Sequence, residues 1–158
     1  MKNLVIDGDL AMVNFGAQIA EALSPCMIIT LEGDLGAGKT TLSRGILQSL
    51  GHQGAVKSPT YTIVEPYDLD IGAVYHFDLY RITDPEELDY IGFPDYLSQG
   101  FLSLIEWPER AKGYLDNADV NISISHSDVG RYIKLVGDTQ KGKVFIRSLD
   151  EIRNEQSS

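Results

Sequence analysis

Gly33-Asp34-Leu35-Gly36-Ala37-Gly38-Lys39-Thr40-Thr41 has the spacing Gly-x4-Gly-Lys-Thr, and each residue type in it suits the binding of a phosphate chain. Glycines let the backbone wrap closely around phosphate oxygens, so that successive N–H groups turn inward as donors. Lys39 offers a positive charge to the outer phosphates, and the Thr40 hydroxyl is a ligand type for Mg2+. A helix that begins at the loop adds its partly positive N-terminus to the same anion site.

The neighbouring residues supply the context this motif requires. Met27-Ile28-Ile29-Thr30-Leu31 is a short apolar run of strand type. Thr41 to Leu50 reads as a helix with Leu42, Ile46, Leu47 and Leu50 on one stripe and Gly51 as its stop. Strand, glycine loop and helix in that order identify a phosphate-binding loop rather than an ordinary turn.

An acid is then needed to hold or orient a magnesium ion, at the C-terminal end of an apolar strand beside the loop. Two positions qualify. Glu106 follows Phe101-Leu102-Ser103-Leu104-Ile105, and Asp78 follows Val74-Tyr75-His76-Phe77. Glu106 is the favoured magnesium ligand, and Asp78 is favoured to orient or deprotonate an attacking water. For each the alternative is a strand-end carboxylate that caps the next helix. Ser58-Pro59-Thr60-Tyr61 is, by itself, a turn entering a strand, although a hydroxyl there suits a sensor of the outer phosphate. Arg81 fits either charge neutralisation at a phosphate or a surface ion pair. His76 fits a satisfied sheet histidine better than a catalyst, and Trp107 fits a packing residue.

The elements around these residues follow from periodicity. Asn3 to Ile6 reads as a strand, and Asp9 as the cap of a helix from Leu10 to Leu23, with Met12, Phe15, Ile19 and Leu23 inward. Tyr61–Tyr67 and Ala73–Asp78 suggest a hairpin. Asp84-Pro85-Glu86-Glu87 opens a helix, and a second short helix covers 94–98. Ala118–Ser125 and Arg131–Val136 alternate like strands of an antiparallel pair. Together they predict an α/β, three-layer sandwich with a parallel central sheet and antiparallel additions. The 158 residues read as one domain over 1–150 followed by a polar, flexible tail at 151–158.

The chain carries a formal charge of −10 without a Lys/Arg cluster. That excludes tight autonomous nucleic-acid binding, which depends on neutralising phosphates. The acidity serves either a basic partner or simple solubility. No apolar stretch is long enough to span a bilayer, and no signal-peptide layout is present. The single cysteine, Cys26, reads as a small core residue. These features predict a cytoplasmic protein without membrane contact. No Asn-Lys-x-Asp, no Leu-Ser-Gly-Gly-Gln and no arginine-studded lid is found, which argues against Ras-type GTPases, transporter ATPases and small-molecule kinases.

Four segments in order, Gly33 to Thr40, Ser58-Pro59-Thr60-Tyr61, His76-Phe77-Asp78-Leu79-Tyr80-Arg81 and Ile105-Glu106-Trp107-Pro108-Glu109-Arg110, resemble the bacterial TsaE family, formerly YjeE. These are small ATPases of tRNA threonylcarbamoyladenosine biosynthesis. The resemblance implies a P-loop NTPase-like fold, slow hydrolysis of ATP to ADP with Mg2+, and work beside the partners TsaB and TsaD, so that tRNA is met only indirectly. It further implies that Thr40 and Glu106 contact the metal, that Gly36, Ala37, Gly38, Lys39, Thr40 and Thr41 hold the phosphates, and that the base lies near Leu10, Ala11 and Arg131. Where the family carries a threonine-bearing motif before its first helix, this chain reads Asp7-Gly8-Asp9-Leu10. Two rival readings stay open: a phosphotransferase acting on a small metabolite, and a non-catalytic switch gated by nucleotide.

Overall fold

One seven-stranded sheet organises the computed structural model, which describes residues 2–115 and 117–157. Its strands are β1 (Lys2–Ile6), β2 (Met27–Glu32), β3 (Val64–Leu69), β4 (Gly72–Asp78), β5 (Leu102–Glu106), β6 (Val120–Ser127) and β7 (Gly130–Gly137), in the spatial order β1-β7-β6-β2-β5-β4-β3. The four central strands β6, β2, β5 and β4 pair in parallel. β3 closes one edge antiparallel, and β7 with β1 closes the other. This is the architecture expected from the apolar runs and turn signals.

Side-chain alternation builds two cores on the two faces. Met27, Ile29 and Leu31 of β2, Leu102 and Leu104 of β5 and Val74 of β4 face one core. That core is filled by helices α1 (Asp9–Ala22), α2 (Lys39–Ser49) and α5 (Gln140–Ser157). Ile105 of β5 and Phe77 of β4 face the other, which is covered by the short helices α3 (Glu87–Ile91) and α4 (Phe93–Gln99) and a 3-10 turn at Pro108–Ala111. α1 and α2 cross at backbone contact. A Cβ on Gly16 would lie 2.7 Å from the Ile46 nitrogen, and one on Gly45 would lie 2.5 Å from the Val13 carbonyl oxygen.

Several local expectations are corrected. α1 is capped by Gly8, and Asp9 is its first residue, placed where its charge meets the helix N-terminus. α2 begins at Lys39, two residues earlier than read. It ends as expected before Gly51 in a Schellman closure, with His52 N–H donating to the Leu47 carbonyl at 3.0 Å and Gly51 N–H to Gln48 at 3.1 Å. The first hairpin strand starts at Val64 rather than Tyr61, because residues 59–63 form a turn closed by the Ile63 N–H to the Pro59 carbonyl at 2.7 Å. At 84–87 the Glu87 carboxylate accepts from the Asp84 N–H at 3.1 Å, a reciprocal cap one turn ahead of α3.

The expected tail at 151–158 is, up to Ser157, the last part of α5. Phe145 and Leu149 anchor that helix on the core, and Thr139 caps it by accepting the Gly142 N–H at 3.0 Å. Tertiary burial of one apolar stripe therefore stabilises a segment whose outward face is mostly polar. Ser158 lies outside the described residues. Cys26 is exposed, not a core residue, because β2 starts one residue later and Cys26 occupies the turn before it at φ 62°.

Candidate functional site

β2 runs into the glycine loop, and α2 leaves it. Gly36 (φ 80°) and Gly38 (φ 116°) take left-handed conformations that side chains resist. Gly38 caps α2, and its carbonyl accepts the Leu42 N–H at 2.9 Å, so the free N–H groups of the first helical turn open toward the loop. Beside the loop lies a cleft of about 380 Å³.

Sheet register brings the two candidate carboxylates to its floor. Glu106 sits opposite Leu31 on one side and Asp78 on the other, at the C-terminal ends of three adjacent parallel strands. Lys39, Asp78 and Glu106 are all buried and all line the cleft. The Lys39 ammonium lies 3.6 Å from Glu106 Oε1 and 5.0 Å above the Trp107 ring. His76 Nε2 meets Glu106 Oε2 at 2.7 Å.

Asp78 is held by different partners. Its Oδ1 accepts the Tyr80 N–H at 3.0 Å, and its Oδ2 accepts the Thr60 hydroxyl at 3.1 Å. Thr60 has a single hydroxyl proton, so the 2.8 Å contact between Ser58 Oγ and Thr60 Oγ1 is a donation from Ser58. The turn that bears these hydroxyls is tied to β4 by the Asp78 N–H, which donates to the Ile63 carbonyl at 2.9 Å. Ile63 itself stands at φ 71°, a conformation costly for a β-branched side chain. The tetrapeptide that read as a mere turn is thus wired to a cleft carboxylate.

Arg131, on β7, reaches the loop. Its Nε donates to the Ala37 carbonyl at 2.9 Å and its Nη2 to the Gly36 carbonyl at 3.4 Å. Gly36, Ala37, Gly38, Thr40 and Thr41 all line the cleft, as does Arg131. Leu10 and Ala11 do not. Leu10 is exposed and Ala11 packs against the core, while the preceding residues Asp7, Gly8 and Asp9, together with Met12, form the wall. The register pair Ile6–Arg131 explains this one-turn offset, since it seats Asp7 and Gly8 next to Arg131. Trp107, read as a packing residue, does pack against the second core, and at φ 59° directly after Glu106 it also lines the cleft. Arg81 instead stacks over Tyr61 at 5.1 Å, outside the cleft.

Charge in the cleft favours a phosphate ligand that arrives with a cation. Four carboxylates, of Asp7, Asp9, Asp78 and Glu106, face two basic groups, of Lys39 and Arg131. A polyphosphate would be repelled by this set unless a divalent ion added positive charge between phosphate and carboxylate oxygens. The oxygen donors present are the hard ligands magnesium takes.

Loop, sheet order and strand-end acids together define a P-loop-type nucleotide-binding protein. The sequence profile described as "Threonylcarbamoyl adenosine biosynthesis protein TsaE" matches residues 7–143, and the chain belongs to the TsaE family. It is 47% identical over 146 residues to the tRNA threonylcarbamoyladenosine biosynthesis protein TsaE of Haemophilus influenzae, covering 89% of this chain and 92% of that protein. It is 37% identical over 103 residues to the protein of the same name from Bacillus subtilis, covering 65% and 64%. The crystal structure of Bacillus subtilis YdiB superimposes with a TM-score of 0.82 at 26% identity, covering 97% of this chain and 96% of that one. No helix among the described residues is long and apolar enough to cross a membrane.

Proposed function

We propose that this protein binds ATP with Mg2+ in the cleft and hydrolyses it slowly, in support of threonylcarbamoyl transfer to the adenosine next to the anticodon of tRNAs reading codons that begin with A. Its partners on this reading are proteins of the TsaB and TsaD type, with TsaD performing the transfer and tRNA met through them. The observation that carries the proposal is the pairing of Asp78 and Glu106 at the strand ends facing Lys39 and the loop.

The loop amides and Lys39 would hold the β- and γ-phosphates and the charge that grows on them during transfer. A water attacks the γ-phosphorus in line. The new bond forms from the water oxygen to phosphorus as the bond to the bridging oxygen breaks, leaving ADP and phosphate. Asp78 orients that water and accepts its proton, held in place by the Thr60 hydroxyl and the Tyr80 N–H. Thr40 and Glu106 would hold the magnesium, whose charge offsets that of the phosphates and the surrounding carboxylates. The net charge of −10 suits a protein that leaves tRNA binding to others.

Reconstitution tests this. TsaB and TsaD with tRNA, threonylcarbamoyl donor and ATP should modify tRNA over many turnovers only when this protein is added, and Lys39→Ala should not substitute. Equal multiple-turnover modification without the protein would overturn the assignment. Phosphorylation of a small acceptor faster than phosphate release would replace it with a phosphotransferase.

A further inference from the structure

His76 is fully buried, and its ring has one partner: Nε2 contacts Glu106 Oε2 at 2.7 Å, while Nδ1 has none among the described residues. An ionised carboxylate only accepts hydrogen bonds, so Nε2 carries the proton that joins the two side chains and donates it. The contact is a diagonal one between parallel strands, since His76 sits opposite Leu104, two residues before Glu106. It leaves Oε1, the other oxygen of Glu106, on the side of Lys39 and the cleft. A carboxylate at a strand end has several rotamers. The ring, fully buried and bonded to Oε2, selects one of them. Burying a histidine with one nitrogen unpaired is unfavourable, and what it secures here is the aim of that carboxylate.

We infer that His76 is a positioning residue that fixes Glu106 by donating from Nε2 to Oε2, so that Oε1 is presented to a divalent cation accompanying the nucleotide. This rests on the magnesium-nucleotide reading above. It goes beyond it by assigning cation affinity, as distinct from nucleotide affinity, to a side chain that touches neither.

The test compares two neutral amides. Glutamine at 76 carries its N–H close to the place of Nε2 and reaches Glu106, whereas asparagine ends near the level of Nδ1 and does not. Binding of ADP is followed through Trp107 fluorescence, first in EDTA and then as Mg2+ is titrated. His76→Asn should raise the half-saturating Mg2+ concentration about tenfold or more, the range seen when a hydrogen bond that orients a ligand is lost. Affinity in EDTA should stay within about twofold. His76→Gln should lie within about threefold of the native protein in both measurements. Nitrogen NMR of the unmodified protein, which needs no variant to fold, should show the Nε2–H tautomer at His76. A Nδ1–H tautomer, equal Mg2+ shifts for both amides, or no shift for either would overturn the inference while leaving nucleotide binding intact. A native protein whose ADP binding ignores Mg2+ would overturn the underlying reading as well.

Discussion

Asp78 and Glu106 are register partners on neighbouring parallel strands, yet their carboxylates are fixed by different parts of the chain. The Thr60 hydroxyl, itself bonded to Ser58, and the Tyr80 N–H hold Asp78, whereas His76 and Lys39 hold Glu106. Two acids side by side with separate supports suit two separate tasks. Glu106→Gln should spare nucleotide binding in EDTA and impair the Mg2+-dependent step, while Asp78→Asn should keep Mg2+-dependent binding and lower turnover by roughly 10²–10⁴-fold. Calorimetry and phosphate release measure the two effects. Normal hydrolysis by Glu106→Gln would refute the metal assignment.

Lys39→Ala removes the ammonium that faces Glu106 and the loop. ATP affinity should fall by about a hundredfold or more, the scale of two charge-assisted hydrogen bonds. The measurement is calorimetric titration with Mg2+ present, and an affinity within a factor of three of native would contradict the phosphate role.

Thr60→Val removes the hydroxyl that Asp78 accepts while keeping the side-chain shape. Turnover should drop about tenfold with KM for ATP unchanged, since only the orientation of Asp78 is lost. A raised KM at unchanged turnover would instead assign Thr60 to substrate binding.

Gly45→Ala would set a methyl 2.5 Å from the Val13 carbonyl oxygen, and Gly16→Ala would set one 2.7 Å from the Ile46 nitrogen. Both neighbours are backbone and cannot step aside without parting α1 from α2. Each change should cost about 1–3 kcal/mol in denaturant unfolding. Gly36→Ala meets nothing within 4 Å, so its cost should come from the φ of 80° alone and show in nucleotide affinity as well.

Glu87 supplies a pH-dependent contribution. The N–H groups of Asp84 and then Thr83, donating to its carboxylate, hold its pKa below the usual glutamate value. A folded-state pKa below the unfolded one stabilises the protein at neutral pH and stops doing so as pH falls through the folded value. The melting temperature of Glu87→Gln should therefore lie below that of the native protein at pH 7, and the gap should close in acid as pH falls past the usual glutamate range and through the lowered folded-state value. A gap independent of pH would show that the carboxylate charge is not involved.

The strands and helices bordering the loop were legible because their signals are local. Apolar runs of strand length, a Gly51 stop and the Asp84 turn each act within a few residues. α5 was not legible: Gly142 and the lysines around it argue against a helix, and only docking explains that glycine. A Cβ there would fall 1.9 Å from the Asp119 carbonyl oxygen. Cys26 was misread because one residue of strand register decides between core and turn.

By itself the sequence determined the phosphate loop, since glycine spacing, one lysine and one threonine set the backbone shape and charge that an anion requires. It also determined that Asp78 and Glu106 end apolar strands. Only the tertiary structure decided that those strands are neighbours, that Thr60, held by Ser58, bonds to Asp78, that His76 rather than a more distant group aims Glu106, and that Asp7 to Asp9 rather than Leu10 and Ala11 wall the cleft. These are pairings between residues far apart in the chain, and which strand lies beside which is set by the burial of the whole sheet between its two helical layers.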